Sequence, residues 1–217
     1  MADIHGAFPF RREILRAAEA QGISLSDDQV RSMEIHRDLL MAWGRRMNLT
    51  AIRDPGEMIR RHFLEGLLAG EFLGRNRASG TVLDLGSGNG FPAVPIRVAR
   101  PEAAPLILVE SSRKRAAFLR ALLRELGWGD SRVEVRRVEG SVDLQDLSCD
   151  IFTTRGVTPF GLLKEGLPFL KRGGFALLFM RRGALDREIP RLPPELRVEA
   201  ESPLEGREAG MILLSKQ

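Results

Sequence analysis

The chain has 217 residues, 43% of them hydrophobic, enough for a sizeable core, which excludes a disordered chain. Lys and Arg number 33 against 29 acids, a formal charge of +4 that is too modest to define a partner by itself. The single cysteine excludes an internal disulfide framework and a Cys-rich metal site, and no apolar run approaches the roughly 18 residues of a membrane span.

The opening stretch MADIHGAFPFRREILRAAEAQG has no basic segment followed by an apolar one, so no signal peptide is expected. Residues 11–73 read as helices only. Ser26 is an N-cap with acids behind it, and Val30, Met33, Leu40 and Trp43 follow at near-helical spacing. Asp54 caps a further helix with Pro55 in its first turn, and Met58, Phe63, Leu67 and Phe72 form its apolar face. The pattern changes at residue 80. Strands are expected at 81–85, 105–110, 132–138, 150–154 and 174–180, with helices at 91–99, 113–127 and 159–170 and a last strand at 210–215. Such alternation implies an α/β fold, a mostly parallel sheet with helices on both faces. NRASG (76–80) is the expected joint between a helical extension, 1–79, and an α/β domain, 80–217.

The stretch TVLDLGSGNGFP (81–92) is a strand that breaks into a glycine loop. In an open parallel sheet the first such loop is the normal ligand site. Gly86, Gly88 and Gly90 let backbone N–H groups approach a ligand. The spacing is Gly-x-Gly-x-Gly, not the Gly-x-Gly-x-x-Gly of dinucleotide sites. Asp84 stands at the mouth of the strand, where a carboxylate repels a pyrophosphate and favours a cation. At about 4–6 Å such a charge pair is worth a few kcal/mol at an effective dielectric near 20. S-adenosylmethionine carries an ammonium and a sulfonium and no phosphate. Glu110, near the end of the next strand, can accept hydrogen bonds from ribose hydroxyls. Together these residues point to a methyl-donor site.

The same residues and their flanks resemble one family, the bacterial small-subunit (16S) ribosomal RNA guanine-N7 methyltransferases, once called glucose-inhibited division protein B. The matching pieces are NLTAIRDPGEM (48–58), RHFLEGL (61–67), LDLGSGNGFPAVP (83–95), ESSRKRAAFLR (110–120), RVE (137–139) and TRG (154–156). The likeness extends over about residues 25–216. It implies a Rossmann-like class I methyltransferase with an N-terminal helical cap and S-adenosylmethionine as cofactor. The donor would be contacted by Gly86, Phe91, the backbone at Val138 and Glu139, and Arg155. Asp84, Gly88, Gly90 and Glu110 would shape the same pocket. Where the family has Lys-Gly after the fifth strand, Arg181 or Arg182 stands here; where it has Arg-Ala after the fourth, this chain has Arg155-Gly156. The resemblance implies a partner, ribosomal RNA or the small ribosomal subunit, and a cytoplasmic monomer with no metal and no membrane partner.

The residue chemistry is consistent with N7 transfer. TTRGVTPF (153–160) lacks the Asn/Asp-Pro-Pro-aromatic turn that serves exocyclic amines. C5 methylation wants a nucleophilic cysteine, and Cys149 falls at the wrong end of its strand. Guanine N7 needs neither, because its lone pair is already nucleophilic. Catalysis then reduces to placement, with no catalytic acid or base and with Arg155 and Arg181 as supporting groups. Arg155 is expected to hold the donor carboxylate or the RNA backbone. Arg61 and His62 on the extension, and Arg113, Lys114, Arg115, Arg181 and Arg182 at the carboxyl edge of the sheet, are the RNA-side candidates. Two other readings stand at this stage: a methyltransferase for a protein or small molecule, and an RNA-binding protein with a vestigial donor site.

Overall fold

The helical half is built from local signals that the structure honours. In the computed structural model, which describes residues 9–44, 47, 49–100, 105–137, 147–155, 159–181, 189–204 and 209–217, helix α1 is Phe10–Glu19 and α2 is Asp27–Gly44. Ser26 and Gln29 form a reciprocal capping box: Gln29 N donates to Ser26 Oγ, and Ser26 N donates to Gln29 Oε1 at 2.8 Å. Asp54 caps α3 (Pro55–Met58) by accepting from Glu57 N at 2.6 Å. The next six residues, Ile59–Leu64, widen into a π-helix before α4, Glu65–Arg75. Its extra residue per turn sends Ile59 and Phe63 into the core and leaves His62 and Glu65 turned towards the glycine loop and β4.

Seven strands make one sheet in the order β3-β2-β1-β4-β5-β7-β6. These are β1 Val82–Leu85, β2 Leu106–Glu110, β3 Arg132–Val135, β4 Cys149–Thr154, β5 Leu170–Arg181, β6 Leu196–Leu204 and β7 Ala209–Lys216. The first five are parallel; β7 and β6 join antiparallel. Strand β1 has β2 on one side and β4 on the other, so strand order reverses there and a ligand crevice opens beyond its carboxyl end. Helices α5 (Ala93–Ala99), α6 (Arg113–Glu125) and α7 (Pro159–Gly166) complete the crossovers.

Other boundaries shift too, β5 starting at Leu170 ahead of the expected 174, but three of the changes have identifiable reasons. The helix at 159–170 stops at Gly166, because Pro168 cannot continue it and a 3-10 turn, Leu167–Phe169, takes over. The helix at 113–127 stops at Glu125, where Gly127 adopts φ +69 and Trp128 N returns to Leu123 O at 3.0 Å. The strand expected at 132–138 ends at Val135; residue 138 lies outside the described residues. Strand β6 had no sequence counterpart among the expectations. Its exposed middle and its Pro203 are the marks of an edge strand, which hides the alternation that announces an inner one.

Alternate residues of β1 serve two cores. Leu83 and Leu85 join Phe152, Leu163 and Leu167 under α7. Val82 joins Ile96, Phe118 and the cap residues Phe10, Ile14, Met33 and Phe63 in a single cluster on the other face. The expected joint at 76–80 is packed, with Ala78 fully buried and its carbonyl accepting from Arg100 Nη1 at 2.8 Å. Helices α4 and α5 also approach closely. A Cβ on Gly66 would stand 2.6 Å from Pro95 Cβ, and one on Gly70 2.6 Å from Ala99 Cβ. Gly70→Ala is expected to destabilise by about 1–2 kcal/mol, because overpacking costs more than helix propensity returns. A melting temperature unchanged or raised in this variant would show that the two helices have room to part.

Candidate donor and RNA site

The glycine loop leaves β1 and is held from three sides. Gly86, Gly88 and Gly90 have φ of +80, +55 and +87, conformations that L side chains rarely adopt. A Cβ on Gly86 would meet nothing within 4 Å, so that position faces open space. Gly86 N and Ser87 N both donate to Val109 O, and Gly88 N donates to Glu110 Oε2 at 2.9 Å. The other oxygen of Glu110 accepts from Ser112 N at 2.8 Å. Ser111 Oγ also donates to that oxygen at 3.4 Å, so Glu110 braces the loop, and a lone pair remaining on Oε2 keeps it able to accept a ribose hydroxyl.

The third side is the cap. His36 of α2 is fully buried, and its Nε2 lies 2.8 Å from Asn89 O in the loop. Asn89 Nδ2 donates back to Leu49 O at 3.1 Å. Phe91 closes the loop as the middle ring of a column: His36 stacks on it at 4.3 Å and 15°, and His62 at 4.4 Å and 10°. Two parallel rings at that spacing cannot share one face, so they take opposite faces. The ring of Phe91 is thereby committed to the cap, and what Phe91 offers a ligand is its backbone and ring edge.

Asp84 is 1% exposed, and neither carboxylate oxygen has a hydrogen-bond partner among the described residues. Burial pushes its pKa up to about 8; the nearby Ser87 hydroxyl, which donates to the Asp84 backbone carbonyl, opposes the shift, Glu110 adds to it and Arg155 opposes it. The sequence suggested a standing negative charge here. The ligand-free carboxyl is instead largely protonated at pH 7, and its charge is favoured only when a cation arrives. A buried acid with no partner, beside a glycine cradle open to solvent, fits a sulfonium and ammonium ligand.

Arg155 follows β4 and donates from Nη2 to Glu65 Oε2 at 2.6 Å, an ion pair with side chains 19% and 7% exposed. Its guanidinium also lies 5.6 Å from the Phe179 ring centroid. Glu65, Ser87, Asn89 and His36 are site residues that sequence reasoning missed. For His36 a signal existed: it fills the gap between Met33 and Leu40 in the apolar stripe of α2.

The RNA-side candidates divide. Arg113, Lys114 and Arg115 are exposed in the first turn of α6, directly after the carboxyl end of β2. Arg181 is exposed at the carboxyl end of β5. Arg61 is held by Glu57 at 2.9 Å, one turn back along its helix. His62 Nε2 lies 2.9 Å from Thr50 Oγ1, and burial first, then Arg155 and Arg61, lowers its pKa to about 4. Val138, Glu139 and Arg182 lie outside the described residues. Cys149 is fully buried at the start of β4, and burial pushes its thiol up to about 12, which suits a packing residue.

With this geometry in place, comparison with known proteins is decisive. The family described as GidB, rRNA small subunit methyltransferase G, matches residues 29–205. The chain belongs to this family. Relatives named ribosomal RNA small subunit methyltransferase G include that of Xanthomonas campestris pv. campestris (strain 8004), 38% identical over 87% of this chain and 87% of the relative. Another is that of Listeria monocytogenes serovar 1/2a, 33% identical over 80% of this chain and 73% of the relative. Among solved structures, a SAM-dependent methyltransferase from Aquifex aeolicus superposes with a TM-score of 0.57 at 13% identity, covering 77% of this chain and 96% of that one. Aeropyrum pernix fibrillarin, solved with S-adenosyl-L-methionine bound, gives 0.54 at 18% identity, covering 70% and 73%. These two likenesses establish the fold alone, a Rossmann-like α/β fold of the kind seen in class I methyltransferases. The GidB-family chain is thus a methyltransferase that uses S-adenosylmethionine. No described helix is long and apolar enough to cross a membrane.

Proposed function

We propose that this member of the methyltransferase G family transfers a methyl group from S-adenosylmethionine to N7 of one guanine in 16S ribosomal RNA, acting in the cytoplasm as a monomer. The observation that carries the reading is the buried, unpartnered carboxyl of Asp84 beside the glycine cradle. Asp84, the loop of Gly86, Gly88 and Gly90, the backbone of Phe91, Glu110 and Arg155 would hold the donor, with Val138 and Glu139 carried over from the family. The bound donor supplies a methyl on a sulfonium, which an aromatic nitrogen lone pair can displace. The chain's own residues need no general base, because N7 loses no proton before attack. Their work is placement and exclusion of water, and proximity alone accounts for large accelerations. The division into a cap, 1–79, and a catalytic domain, 80–217, assigns the cap a share of the RNA surface and a hold on the donor loop.

Arg113, Lys114 and Arg115 favour RNA over a small-molecule substrate. Cations in the first turn oppose the helix dipole, at about 0.3–1 kcal/mol each, and no acid offsets them there. A polyanion at the carboxyl edge of the sheet reverses that penalty. Changing all three to Gln is expected to reduce the salt slope of RNA binding by about 2 to 3 and leave donor affinity unchanged. An unaltered slope would remove this edge from the RNA surface. The reading as a whole is tested by mass spectrometry of 16S RNA from cells lacking the protein. Loss of a single N7-methylguanosine supports it; an unchanged set of modifications overturns it.

A further inference from the structure

We propose that the free face of the His62 ring is the platform on which the target guanine stacks, as the fourth ring of the column His36–Phe91–His62. The inference rests on the RNA guanine reading above and assigns that substrate a place.

Each part of the imidazole is accounted for except one face. One face lies against Phe91 at 4.4 Å. Nδ1 is buried, so it does not reach solvent. Nε2 is engaged with Thr50 Oγ1, which is fixed in turn by accepting Ile52 N–H at 3.0 Å. Yet His62 retains intermediate exposure. With one face covered, Nδ1 buried and Nε2 engaged, the opposite face and the carbon edge are what the ring has left to offer a ligand, and these cannot hydrogen-bond but can stack. Side-chain aromatic faces are the usual receptacle for an unstacked RNA base.

The surroundings place this face at the reaction site. Phe91 ends the glycine loop on which the donor rests, and Arg155, close enough to depress the imidazole, stands at the carboxyl end of β4. His36 and Phe91 behind the ring are 0% and 5% exposed, so the column has a fixed base. The π-helical turn is what delivers His62 here, and such turns recur at functional sites. Charge also suits the product. With its pKa lowered to about 4, His62 is neutral at pH 7, and a neutral ring does not repel the cationic N7-methylguanine.

Two variants separate stacking from structure, because both lose the Thr50 bond equally. His62→Phe keeps a flat face; His62→Ala removes it. Single-turnover methylation of small ribosomal subunits lacking the modification is measured for both, alongside S-adenosylmethionine affinity, melting temperature and binding of 7-methyl-GMP with S-adenosylhomocysteine present. The Ala variant is expected to lose about 10- to 100-fold in methylation and in 7-methyl-GMP binding, with donor affinity unchanged. The Phe variant is expected to recover most of both. Equal losses in the two variants would mean that the Thr50 bond, not the ring face, matters, and would overturn the proposal. So would an Ala variant as active as wild type. If wild-type protein itself leaves the subunits unmethylated, the functional reading fails instead, and the two failures are distinct.

Discussion

Asp84→Asn is expected to make the ligand-free protein more stable and to leave it unable to hold its donor. The folded pKa of about 8, against 3.8 for a free Asp, means that the folded state binds this proton more tightly than the unfolded one. That contribution favours folding fully below pH 3.8 and is lost as pH rises through 8. At pH 7.5 the wild-type chain has lost most of it. An amide cannot ionise, though it still bears the cost of a buried polar group. The expected gain is about 1–3 kcal/mol, or several degrees in melting temperature. Donor binding moves the other way. Losing a charge pair worth a few kcal/mol is expected to weaken S-adenosylmethionine by about 30- to 300-fold. In the wild type, binding at pH 7 should release a proton, seen as an enthalpy that depends on the buffer's ionisation heat. A variant that binds the donor normally, or wild-type binding with no proton release, would separate Asp84 from the sulfonium.

His36 and His62 shape the acid side of the same profile. Their folded pKa values, about 3 and about 4, lie below the 6.5 of a free imidazole, with burial the largest cause in both. Their contribution is present above pH 6.5 and is lost as pH falls through 4 and 3. As pH falls below 6.5 two groups lose stability while Asp84 regains it, a net loss; above 6.5 Asp84 alone continues to lose it. Of these three groups alone, the optimum falls near pH 6.5, and Asp84→Asn should flatten the alkaline limb.

Glu65→Ala is expected to cost about 2–4 kcal/mol and to weaken donor binding as well. It removes one partner of a largely buried ion pair whose members are 90 residues apart in sequence, and so weakens the compensation of the Arg155 charge. It also unties α4 from the end of β4. Glu65→Gln keeps an acceptor in place and should lose less. The double variant Glu65→Ala with Arg155→Met should be more stable than Glu65→Ala alone, since the buried charge that lost its Glu65 partner is gone. Chemical denaturation of the four proteins measures the coupling. Strict additivity would show that the pair has no energetic reality. Arg155→Met alone tests the role carried over from the family: donor affinity and RNA affinity both unchanged would end it.

Much of this site was legible in the sequence because its signals are local. The glycine spacing, Asp84 and Glu110 lie within 27 residues and mark two adjacent strand ends. Caps at Ser26 and Asp54 are short-range chemistry, and both form as read. What escaped is long-range. Nothing near His36 announces Asn89, and Glu65 reads as one more acid on an amphipathic helix. A π-turn has no distinct pattern, since its composition is helical. The proton affinity of Asp84 is not legible in the sequence for a related reason: burial is the largest of its causes. The edge strand β6 was invisible because solvent exposure removes the apolar alternation.

The central claim, that this chain moves a methyl from a sulfonium to a guanine nitrogen in small-subunit RNA, is tested most directly by isotopic transfer. Purified protein is incubated with small ribosomal subunits lacking the modification and with S-adenosylmethionine carrying a deuterated methyl, and the digested RNA is read by mass spectrometry. The expected result is one labelled N7-methylguanosine per 16S molecule, absent with Asp84→Asn. Label in ribosomal protein, or none in RNA while the donor is bound, would contradict the account.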